Sequence, residues 1–267
     1  MKFIYIIFLF SFACTNLFID EKEYNSFLFK GGSWIEFPKI EDMIIEDYNF
    51  SMQFWVSGGE INGSEAPALF SITDNNETKL ALYRDPNINN SIILNINSQI
   101  VKLPELNIDW SKSNDFNLIS ILFSDNTSTS IFIDDTKVYT LNSIDVRGCN
   151  LIVGALANEE RSILENFWYG YIDEIRLWNI LLDDASIKFH YSNPNKLGEY
   201  YREMYDDDTY DYTSDSDFLK SNFIIGLWRL NKNNTNSIIE DGSNHNNHGE
   251  IFTLPNFDIE LSQIGSQ

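Results

Sequence analysis

From Ser26 onward the chain runs in short stretches where apolar and polar residues alternate, punctuated by turn residues. SFLFK (26–30), SWIEF (33–37) and YNFSMQFWVS (48–57) come first, then ALFSIT (68–73), KLALYR (79–84) and SIILNINSQIVKL (91–103). FNLISILFS (116–124), STSIFIDD (128–135), KVYTL (137–141), CNLIVGAL (149–156) and FWYGYIDEIRLWN (167–179) continue the series, and FIIGLWRL (223–230) and IFTL (251–254) close it. Alternation with period two puts one face of each stretch into a core, as Ile131 and Ile133 show in STSIFIDD. Gly31-Gly32, Gly58-Gly59, Asn62-Gly63 and Asp74-Asn75-Asn76 supply the turns. Many short strands at this spacing, without helices between them, predict an antiparallel sandwich or barrel.

Two places depart from the pattern. LLDDASIKFHYSN predicts a short helix near residues 183–191, capped by Asp183-Asp184 and carrying Ile187 and Tyr191 four apart on one face. His190 is placed half-exposed on it. In GYIDEIRLWN, Ile175 and Leu177 share one face while Ile172 belongs to the opposite phase, so the apolar phase slips across Asp173 and Glu174. A β-bulge there restores the alternation and turns one carboxylate aside. Once buried, that carboxylate needs a cation, a metal or backbone amides.

Composition narrows the partners. The chain of 267 residues carries 18 basic and 40 acidic residues, a net charge of −22, which excludes nucleic acid and attraction to anionic lipid. EYYREMYDDDTYDYTSDSDF (199–218) reads as a solvated acidic insert. Lys2 followed by the apolar run Phe3–Phe10 and Ser11-Phe12-Ala13 reads as a signal peptide, residues 1–13, too short to span a bilayer. Cleavage after Ala13 leaves Cys14 first, as in a lipid-anchored bacterial lipoprotein, and the same tripeptide suits ordinary secretion; either route exports the chain to the cell surface or beyond. Of the two cysteines, Cys14 is the candidate lipidation site and Cys149 a lone buried thiol. The remainder, 20–267, reads as one β domain.

Several segments resemble the laminin-G-like, concanavalin A-like jelly roll. SFLFKGGSWIEFP resembles its opening strand pair and NFSMQFWVS its next strand. GYIDEIRLWNILLDDASIKFHY resembles the family's "GYIDEVRIYNRALSEEEI", helix included. IIGLWRLNKNNTNSIIEDGSNHNNHGEI resembles its "YWPF…SGNGNHG" segment, which here closes the chain. The resemblance covers about residues 26–254 and implies an all-β, two-sheet antiparallel jelly-roll sandwich that binds carbohydrate or protein without catalytic residues. It also implies a structural calcium (Ca2+) near the IDE strand and the SGNGNHG-like loop, with Asp173, Asp241, Asn244 and Asn246 as ligands. Turn formation by Asp241-Gly242 and Asn244 is the competing account of that loop.

Catalysis finds little support. Asp173 and Glu174 diverge on a regular strand and do not flank one glycosidic bond. The same-face acid patterns of sandwich-fold glucanases, E-x-D-x-E and E-x-D-x-x-E, do not occur, nor does G-x-S-x-G. His245 and His248 lack further nitrogen or sulfur ligands for zinc. Trp34, Trp55, Trp178 and Trp228 fall in strands and read as core, whereas Trp110 and Trp168 lie nearer loops and are the candidates to stack on a sugar. The expectation is a surface binding module for a glycan or an extracellular protein. The alternatives are a glycoside hydrolase or lyase on the same fold, or a structural domain of a surface assembly.

Overall fold

The computed structural model describes residues 26–44, 48–59, 65–74, 77–125, 127–157, 164–197, 223–230, 237–257 and 259–262. The signal segment, Cys14 and the acidic insert 199–218 lie outside the described residues. In chain order the elements are β1 (Ser26–Lys30), β2 (Ser33–Lys39), α1 (Ile40–Met43), β3 (Phe50–Gly58), β4 (Ala68–Thr73), β5 (Thr78–Arg84), β6 (Ile92–Ile96) and β7 (Gln99–Leu103). There follow β8 (Asn117–Phe123), β9 (Ser128–Ile133), β10 (Thr136–Asn142), β11 (Asn150–Val153), β12 (Leu156–Ala157), β13 (Leu164–Glu165) and β14 (Tyr169–Trp178). After α2 (Asp184–Ser192) come β15 (Ile224–Arg229), β16 (Ile238–Ile239), β17 (Gly249–Thr253) and β18 (Glu260–Ser262).

The strands form two antiparallel sheets packed as a jelly-roll sandwich. The first runs β10-β9-β8-β3-β14-β1-β18, with β15 also paired to β14; the second runs β16-β17-β2-β11-β4-β5-β6-β7. Inward-facing residues of both sheets interdigitate, with Phe54 of β3 stacked on Phe70 of β4 at 5.1 Å and Phe37 of β2 against Trp228 of β15 at 4.5 Å. Each such ring removes an apolar side chain from water, worth about 1.5–3 kcal/mol. The C-terminal strands return beside the first ones: β18 pairs with β1 and β17 with β2. The stretch 91–103 is a hairpin, not one strand, because Asn97 and Ser98 both take left-handed backbone angles (φ 47° and 64°) between β6 and β7.

The first sheet is covered on its outer face as well. Helix α2 starts where the Asp183 carboxylate accepts the Ser186 amide at 2.7 Å. It lies over a second apolar cluster containing Phe132, Trp178, Leu182, Ile187 and Leu227. The outward polar residues of β3 are therefore buried and must be satisfied internally. Gln53 donates to Ser120 Oγ at 3.1 Å and accepts from Trp178 Nε1 at 3.0 Å, and Ser51 Oγ donates to the Ile180 carbonyl at 2.9 Å.

Candidate functional site

The phase slip at Asp173-Glu174 is a bulge. Ile172 pairs with Val56 and Ile175 with Phe54, so two residues of β14 face the single Trp55 of β3. Glu174 is buried, and its carboxylate accepts from Arg176 Nε and, at 2.9 Å, from Arg229 Nε of β15. Arg176, itself buried, also donates to the Pro194 carbonyl beyond α2. The acid turned aside by the bulge has two guanidinium partners, and the cluster ties β14, β15 and the end of α2 together. His190 departs from expectation: it is fully buried, stacked on Trp178 at 4.9 Å, with Nε2 3.0 Å from the Leu197 carbonyl. Burial, with Arg176 nearby, pushes its pKa down to about 3, so the ring is neutral.

Of the four residues named for calcium, Asp241 has both carboxylate oxygens occupied by donors of the protein. Asp241 accepts the amides of Leu227 (2.9 Å) and Ser243 (2.8 Å) on one oxygen. Its other oxygen accepts the Ser243 hydroxyl (2.8 Å) and the Asn247 amide (3.0 Å). A carboxylate offers about four lone-pair positions, and all are taken by protein donors. Asn244 and Asn246 are exposed turn residues at φ 70° and 60°. Asp173 is half-buried and its carbonyl accepts the Leu230 amide. Among the described residues no group of three or more His, Cys, Asp or Glu side chains could hold a metal ion.

The tryptophans are redistributed. Trp110 and Trp168 are 0 % exposed, edge to face at 5.7 Å, so neither presents a face to a sugar. Tertiary packing draws both loop segments into the core. Trp110 instead anchors its loop: Nε1 donates to the Ser91 carbonyl at 3.1 Å and its amide to the Asn89 carbonyl at 3.0 Å. Gly58 permits this approach, since a Cβ there would stand 1.9 Å from the Trp110 carbonyl oxygen. Trp55, Trp178 and Trp228 are buried as expected. Trp34 is not a core residue: it is half-buried on the outer face of the second sheet, stacked on Phe252 at 5.5 Å, with Nε1 donating to Glu36.

The loop that Trp110 anchors walls a cavity of about 500 Å³. Asn89 and Asn90 come from the β5–β6 loop, Asp109, Lys112, Asp115 and Phe116 from the β7–β8 loop, Asp134 from the β9–β10 turn and Tyr191 from α2. Asp109 organises its own turn through Ser111 N and Oγ (3.1 and 2.6 Å), while Lys112 reaches Asp109 at 3.3 Å and Asp115 at 3.7 Å. Tyr191 lies over Trp55, ring centroids 6.3 Å apart, and is exposed at the cavity. Asp134, at φ 57°, accepts the Leu118 amide at 3.0 Å and is 7 % exposed. Burial raises its carboxyl to about pH 6, against the pull of the Leu118 N–H and helped by the charges of Asp135 and Asp115. Hydrogen bonds from Ser111 hold Asp109 below the usual carboxylate range. Tyr191 is raised, first by Asp134. Cys149 is buried in the main core just before β11, and burial raises its thiol to about 11, so it is unreactive.

The sequence pointed to none of these cavity residues. Asp134 sits in IDDTK, which reads as a hairpin turn, and the other lining residues come from separate segments.

No family model matches the chain, and no curated protein does. Among solved structures, a candidate carbohydrate-binding protein from Bacteroides ovatus ATCC 8483 superposes with a TM-score of 0.57 at 10 % identity, over 90 % of this chain and 60 % of its own length. The chain thus spans less than two thirds of that protein. The heptameric SAP-like pentraxin of Limulus polyphemus aligns with a TM-score of 0.47 at 10 % identity, over 64 % of this chain and 83 % of its own. NanB sialidase from Streptococcus pneumoniae gives 0.47 at 16 %, over 61 % and 27 %. The Bacteroides protein shares the fold.

Proposed function

We propose that the chain is a non-catalytic binding module that holds a glycan in the cavity between the β5–β6 loop, the β7–β8 loop, the β9–β10 turn and α2. The observation that carries this reading is the cavity's lining. Amides, carboxylates, a hydroxyl and an ammonium converge there, with the rings of Phe116 and Tyr191 beside them. Dense two-way hydrogen bonding next to an aromatic face is what a sugar ring, polar at its edge and apolar on its face, requires. The fold shared with a candidate carbohydrate-binding protein is in keeping with it. The apolar run Phe3–Phe10 and Cys14 support export and a lipid anchor at the cell surface, where such a module meets glycans.

A glycan array probed with the chain tests the reading. Binding that is weakened severalfold by Phe116→Ala, with the thermal transition retained, supports it. Silence across the array from a folded chain sinks it and leaves a protein partner. One observation favours a second reading, a glycoside hydrolase: Asp134 is raised and Asp109 lowered around one cavity, and acid–base hydrolysis uses such a split. Release of reducing ends from a bound glycan, lost in Asp134→Asn, would establish that reading.

A further inference from the structure

We propose that the glycan held in this cavity carries free primary amines, as an oligomer of 2-amino-2-deoxyhexose does, and is bound as a cation. The inference rests on the reading of the cavity as a glycan site. Three carboxylates line it, Asp109, Asp115 and Asp134, against the single ammonium of Lys112. Lys112 is already shared between Asp109 and Asp115. Arg84 is buried nearby and donates to the Gly59 carbonyl at 2.5 Å; it does not line the cavity, and of the three carboxylates it feels the charge of Asp109.

Asp134 is the decisive group. It is more than nine-tenths buried and lines the cavity. One oxygen accepts the Leu118 amide; the other accepts no hydrogen bond from any described residue. The charges acting on it are the carboxylates of Asp135 and Asp115, and the third titratable neighbour is the phenol of Tyr191. A sugar hydroxyl relieves such a carboxylate by one hydrogen bond, whereas an ammonium adds charge pairing in a partly desolvated site. An anionic glycan meets three like charges and is rejected. Cation binding is therefore strongest where Asp134 is ionised and weakens as pH falls through about 6.

Calorimetric titration of the full chain separates these outcomes, using a glucosamine tetramer, its fully N-acetylated counterpart and a sialylated oligosaccharide in about 0.15 M salt. The amine tetramer should bind about tenfold more tightly than the acetylated one near pH 7, and that advantage should vanish near pH 5. Asp134→Asn should abolish both the preference and its pH dependence. Asp135→Asn makes the same change in net charge at an exposed carboxylate outside the cavity lining; it should retain the preference near pH 7 and move its loss to lower pH, since the Asp135 charge helps to raise Asp134. Equal binding of the two tetramers, tighter binding of the sialylated glycan, or a preference that survives Asp134→Asn overturns the inference and leaves the glycan reading standing. Failure of every glycan to bind a folded chain overturns both.

Discussion

Two buried carboxylates, Glu174 and Asp134, sit on the same sheet in opposite circumstances. Glu174, 8 % exposed, faces Arg176 and Arg229, so its charge is matched inside the protein. Asp134, 7 % exposed, has one backbone amide, acidic neighbours and a cavity. Burial alone therefore says little about what a charge is for. A carboxylate paired on every side holds strands together; one left partly unpaired at a cavity destabilises the fold and is free to meet a ligand.

Breaking the first of the pair should have the largest effect. Glu174→Ala leaves the Arg176 guanidinium buried with only the Pro194 carbonyl as a described partner. Loss of one member of a buried ion pair costs about 3–5 kcal/mol. Denaturant unfolding should show that loss, and a cost under about 1 kcal/mol would mean that the cluster is solvated.

The contrast between the two acids was half legible in the sequence. The slip of apolar phase between Ile172 and Ile175 is local, so the bulge and the displaced acid could be read from period-two alternation alone. Most strands of both sheets were legible for the same reason, although β6 and β7 read as one stretch and the short β16 and β18 left no pattern to read. What could not be read is which loops the core absorbs. Trp110 and Trp168 follow turn-like segments, yet each fills space between elements distant in sequence. His190 is neutral because α2 lies on the outer face of the first sheet, a docking that helical periodicity does not reveal. The cavity draws on four separate segments, and Asp134 in isolation is only a turn residue.

The second acid should behave in the opposite way. Because the folded-state pKa of Asp134 is raised to about 6, its penalty is absent below the unfolded value and complete above about 6. Asp134→Asn keeps a side chain that tolerates left-handed backbone and can accept the Leu118 amide. It should stabilise the fold by about 2 kcal/mol at pH 7 and leave it unchanged near pH 4, measured by urea unfolding at both pH values. Destabilisation at pH 7 would show that the carboxylate is matched after all.

His190, beside the Glu174 cluster, supplies the acid sensitivity that Asp134 opposes. Its folded-state pKa is depressed by burial and Arg176, so its contribution is fully present above the unfolded histidine value and is lost as pH falls toward about 3. Between pH 7 and pH 5 it should cost about 2 kcal/mol. His190→Phe should flatten that part of the stability profile, and an unchanged slope would assign it elsewhere. Arg229→Ala should matter less than either. Its side chain is 44 % exposed, so water replaces it at Glu174 and the loss should stay below about 1 kcal/mol.

The smallest effect should come from removing calcium. Asp241 is a third kind of carboxylate, neither ion-paired nor open to a ligand, because four N–H and O–H donors already occupy its oxygens. A cation entering there would have to displace those donors and unmake the loop that links β16 to β17. Chelation should therefore move the melting temperature by less than about 1 °C, since only a ligand bound by the native state raises it. A fall of several degrees on chelation would show that the loop opens its carboxylate to a metal, and Asp241 would then join Asp134 as an acid kept for binding.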